Sequence, residues 1–94
     1  MIEHLVPHDF SDLAPGALAV EHAGLRIGLD VTELRRLPPT PQRPSPFSMV
    51  LAGPLPMLGQ GIHALWHPQH GRLELFMVPV GLKGDRVFYE LVFN

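Results

Sequence analysis

Three apolar runs, set between turn-forming residues, fill the second half of the chain and narrow its fold more than any other feature. Residues 46–51, 73–78 and 86–93 are short and rich in branched and aromatic side chains, among them Val50, Phe76, Val78, Phe88, Tyr89 and Val92. Such side chains pack well on a pleated sheet, so the runs read as strands and the chain as all-β.

The first half fits the same class. Residues 9–14 suit one helical turn, capped by Asp9 or Ser11 and ended by Pro15 and Gly16. Residues 17–22 read as a strand, Ala23 and Gly24 as a tight turn, and residues 25–30 as the returning strand. Leu25, Ile27 and Leu29 alternate with Arg26, Gly28 and Asp30, placing three apolar side chains on one face. The run continues through Val31, Leu34 and Leu37 as a long bent strand, with a short helix as the rival reading. Residues 38–46 hold five prolines in nine positions, which predicts an extended connector, either a loop or a linker between halves. Beyond the strand at 47–53, the irregular stretch 54–61 carries apolar residues suited to capping one end of a core. Residues 62–67 and 72–80 are strands around a turn at 68–71, and 81–85 is a loop before the final run. Consecutive strands with short turns predict an antiparallel meander of about six strands. A small closed barrel or a compact sandwich would hide the sheet edges. No internal repeat is visible in the sequence.

Composition excludes several functions. Ninety-four residues make one domain, 1–94, with a single core. Seven basic residues against nine acidic ones give a net charge of −2, which offers no field for a phosphate backbone, so no nucleic-acid partner is expected. The absence of cysteine removes disulfides, thiolate metal sites and cysteine nucleophiles. The first nine residues lack the basic and apolar regions of a signal peptide. No apolar run approaches the roughly 18 residues that span a bilayer, so no membrane partner and a cytoplasmic location are expected. Weak surface charge also makes a homo-oligomer plausible.

Candidate sites are sparse. His63, His67 and His70 invite a metal reading, but four strand residues separate His63 from His67 by about 13 Å, so the expectation is no metal. His67 or His70 with Glu74 or Glu90 could form an acid–base pair only in a cleft that perturbs one partner. Ser11, Ser45 and Ser48 lack a nucleophile-elbow context, and the glycines at 59–61 and 81–84 lack the following helix of a phosphate loop. No catalytic residue and no cofactor are expected. Arg35, Pro38 and Pro41 fit a basic-x-x-Pro-x-x-Pro ligand pattern, for which a rigid connector is the simpler account. Trp66, His63 and Tyr89 are the residues a ligand pocket would use, although an aromatic on a strand serves packing more often. Glu90, in an apolar strand, either faces solvent or pairs with Arg72 or Arg86.

Several segments carry a resemblance. Pro46-Phe47-Ser48-Met49-Val50-Leu51-Ala52-Gly53-Pro54, Gln60-Gly61-Ile62-His63, Leu75-Phe76-Met77-Val78-Pro79-Val80-Gly81 and Tyr89-Glu90-Leu91-Val92-Phe93-Asn94 resemble the signature of a small bacterial family of domains of unknown function. The resemblance covers the second half well, and the first half only through Phe10, Gly16 and the strand that follows. It implies no activity or cofactor. Family members often occur near genes for phage-tail-collar-like proteins, which implies a tail-like protein partner. The motif has structural roles open to it: Gly53, Pro54 and Gly81 ending strands, and Tyr89 with Glu90 tying down the last one. The expectation is a non-catalytic all-β interaction module in a larger bacterial or phage-like assembly. The alternative is a small-molecule or carbohydrate-binding barrel with Trp66, His63 and Tyr89 around its pocket.

Overall fold

Alternation of apolar and polar side chains closes the chain into a six-stranded antiparallel barrel, seen in a computed structural model that describes residues 5–94. The reading of the chain's start as no signal peptide depends on residues 1–4, which lie outside those described. The strands are β1 (Leu18–His22), β2 (Leu25–Arg36), β3 (Phe47–Pro54), β4 (Gly61–His67), β5 (Gly71–Lys83) and β6 (Arg86–Phe93). Around the ring they run β1-β2-β3-β6-β5-β4, and β4 returns to β1. No helix among the described residues is long and apolar enough to cross a membrane.

This order corrects the simple meander. β3 and β4 are consecutive but do not pair; they stand on opposite sides of the ring, and residues 55–60 cross one barrel end between them. The fold is two three-stranded meanders, β1-β2-β3 and β4-β5-β6, joined by the pairs β1–β4 and β3–β6. The middle strands behave alike. β2 pairs with β1 through Leu25–Leu29 and with β3 from Asp30 onward, while β5 pairs with β4 through Met77 and with β6 from Val78 onward. Each carries a bulge near the change of partner, at Val31/Glu33 and at Pro79/Gly81, which supplies the bend a small barrel needs. The internal repeat absent from the sequence is therefore present in the topology. The proline-rich connector does not join the two halves; it lies inside the first, between β2 and β3.

Inward positions fill the barrel: Leu18 and Val20, Leu29, Phe47, Met49 and Leu51, Leu65, Leu73, Leu75 and Met77, and Val87, Tyr89, Leu91 and Phe93. Leu58, on the crossing segment, stoppers one end, as expected of residues 54–61. Phe10 and Leu5 stopper the other, where Phe10 meets Phe47, Phe93 and His67 with ring centroids 5.4 to 6.0 Å apart. Leu25 departs from the expected apolar face. It is 67% exposed because it sits at the β1–β2 turn, beyond the rim that β2 shares with the core.

The remaining differences are local. The helical turn α1 spans His8–Ser11 and has no side-chain cap. Asp9 and Ser11 lie inside the turn, and the Asp9 carboxylate instead accepts the Val6 N–H from one turn before, so the turn begins early. β5 continues to Lys83 through the expected loop, because Gly81 pairs with Phe88 and only Gly84 and Asp85 make the turn. The proline motif is not held extended either. Thr40 and Arg43 exchange backbone hydrogen bonds of 3.0 and 3.2 Å, which reverses the chain at Pro41 and Gln42, and Arg35 is tied to Glu33.

Candidate interaction surface

A strand sends alternate side chains to opposite faces, and in β4 this separates the three residues expected around a pocket. Tyr89 of β6 points inward and is 1% exposed; its hydroxyl accepts the Leu58 N–H at 3.0 Å. His63 donates from Nε2 to the Gly59 carbonyl at 2.7 Å. Both residues hold the crossing segment against the barrel end. Trp66 sits on the opposite face, in step with Ile62 and Ala64, and the Arg26 guanidinium stacks 3.7 Å from its ring centroid. The three therefore line no common cavity, and the interior that would hold a ligand is occupied by the protein's own side chains.

The histidines at the other end act on the N-terminal segment. His67, buried at the end of β4, donates from Nε2 to the Asp9 carbonyl at 2.6 Å. Its Nδ1 accepts the backbone N–H groups of Gln69 and His70 at 3.0 and 3.2 Å, so both ring nitrogens are committed to structure. His70 meets the Asp9 carboxylate at 2.9 Å. Burial pushes that carboxyl up, but the Val6 N–H together with the hydrogen bond and charge of His70 hold it below its ordinary value. Neither His67 nor His70 pairs with Glu74 or Glu90, as an acid–base reading would need: Glu74 binds Arg72, and Glu90 faces out. Among the described residues, no group of three or more histidines and carboxylates is arranged to hold a metal. Among the depressions on the described surface, one of about 330 Å³ opens over the Asp30–Arg86 ion pair and one of about 200 Å³ beside Asp9 and Asp12.

The outer wall of the second meander is different in kind. Ile62 of β4 stands opposite Phe76 of β5, and Val92 lies on the outward face of β6, two residues beyond Glu90, where β5 and β6 begin to pair. These three outward side chains are 70%, 53% and 50% exposed. In the next row, Val78, Glu90 and Val50 stand side by side across β5, β6 and β3. Scattered exposed apolar residues are ordinary, whereas a cross-strand row of them with more beside it is the usual mark of a contact surface. Sequence reasoning missed this row by reading residues 73–78 as generic buried strand. The available signal was that Leu73, Leu75 and Met77 share one face while Phe76 and Val78 take the other. A barrel wall can bury only one face of a strand against its own core.

Residues 5–93 match the family described as a domain of unknown function, DUF6916. No curated protein and no solved structure matches the chain.

Proposed function

We propose that this chain, which belongs to the DUF6916 family, is a non-catalytic β-barrel interaction module, a structural or accessory part of a larger bacterial or phage-like assembly. The observation that carries this reading is the outward cross-strand pair Ile62–Phe76, left exposed, with Val92 exposed on the outward face of β6. A closed ring has no free sheet edge along its paired strands, so contact with a partner falls to side chains such as these. Covering Phe76, Ile62 and Val92 would gain on the order of 1.5–3 kcal/mol for each side chain fully buried, before the costs of association. A tail-like protein is the partner that the sequence resemblance suggests.

The test is a crosslinked pull-down of the tagged protein from its own organism, run beside the double variant I62S/F76S. Recovery of one or two stoichiometric proteins by the native barrel, and their loss from a double variant with unchanged melting temperature, is the expected result. Equal recovery by both proteins would remove this face from the function.

A further inference from the structure

We infer that the occupant of the β4–β5–β6 face is a peptide segment of a partner that sets a lysine or arginine beside apolar side chains, the cation being taken by Glu90. This rests on the interaction reading above and names the chemistry of its partner.

The charges of the outer wall carry the inference. Glu33 has Arg35 at 2.6 Å, Glu21 and Glu74 share Arg72 at 3.4 and 3.0 Å, and Asp30 has Arg86 at 3.0 Å. Glu90 stands apart. It lies between Val78 and Val50, with Phe76 two residues from Val78 and Val92 two residues from Glu90 on the same outward face, and it has no partner among the described residues. Exposed to water, such a carboxylate costs little. Under an apolar partner it loses its hydration, and the penalty of an uncompensated buried charge exceeds the gain from covering one valine. A wholly apolar segment therefore fits poorly and an acidic one worse, while a segment that brings its own cation offsets the desolvation and gains register.

The same charges argue against a second copy as the occupant. Along the pairings that run through Val92 and Glu90 the cation present is Arg35, already held by Glu33. Two such faces opposed about an axis near Glu90 would bring two carboxylates together with no free cation from these pairings between them.

The experiment uses a random twelve-residue peptide library displayed on phage, panned over the intact protein and counter-selected on I62S/F76S. Enriched peptides are expected to combine apolar residues with lysine or arginine. A synthetic peptide of that kind should weaken with added salt and lose about tenfold in affinity on E90Q, and panning on E90K should turn the selection toward acidic peptides. Unchanged melting temperatures of E90Q and E90K confirm that the barrel is intact. Enrichment with no preference for basic residues, or affinity unmoved by E90Q, would overturn the role of Glu90 and leave the interaction face standing. No enrichment over I62S/F76S would overturn both. A dimer in light scattering that I62S/F76S dissolves would overturn the inference in favour of a second copy.

Discussion

Gly53 lies where two strands of the first meander press together inside the barrel. A β-carbon there would come 2.5 Å from Cδ2 of Leu29, which is itself buried. Gly53→Ala is expected to lower stability by about 1–3 kcal/mol, since overpacking forces the core to shift. In a urea-unfolding cycle, L29A in the same chain should recover part of that loss, making the double variant milder than the sum of the single changes. The sequence marked Gly53 as the end of a strand, which it is, but its closeness to Leu29 depends on which strand lies beside it. Glu90 shows the same limit. That it faces solvent was one of two readings of an alternating strand, and the choice rested on Arg72 and Arg86 being held by other carboxylates. Tyr89 was read as tying the last strand to its neighbour, whereas its hydroxyl reaches across the core to Leu58.

At the scale of the element, the short helix and the residues before it form a clasp over the end of the barrel. Phe10 supplies the apolar plug, Arg43 donates to the Leu5 carbonyl at 2.7 Å, and Asp9 joins His67 and His70 to the segment. Because the Asp9 carboxyl titrates below its ordinary 3.8 in the folded protein, its ionised form stabilises the fold in full above that value. The contribution is lost as pH falls through the folded-state value. The native protein should therefore lose melting temperature more steeply than D9N between about pH 5 and pH 2, with the two curves converging at the acid end. Parallel curves would show that the ion pair adds nothing. The strands of these elements were legible because alternation is a local signal; β6 begins and ends where the sequence placed it, and β2 is the long bent strand. The helix was placed less well, because its start is set by a side chain reaching backward to Val6. The proline motif was legible as composition, but the turn at Pro41 and Gln42 depends on paired backbone groups that no motif records.

As a whole, the molecule is two similar meanders that complete one core between them. Neither half encloses its inner face alone, because the one core cluster draws Leu29, Met49 and Leu51 from the first half and Leu65, Leu75 and Leu91 from the second. Residues 1–57 and 58–94, made as separate chains, should each lack a cooperative thermal transition. Mixed at equal concentration, they should regain a β-sheet circular dichroism spectrum and a single transition; a half that melts cooperatively alone would disprove this mutual dependence. Barrel closure was legible as a class, from six short strands and the need to hide edges. The partner order was not, because pairing between β1 and β4 or β3 and β6 is decided by the whole set of inner faces and leaves no local trace. The two joins are unequal: β3 and β6 align eight residue pairs, β1 and β4 only two. Thermal breathing should then begin at the narrow join, so the amides that bridge β1 and β4 exchange with deuterium earliest among the strands. The ring behaves mechanically as a bracelet with one weak catch, opening there into a curled sheet that stays fastened along β3 and β6.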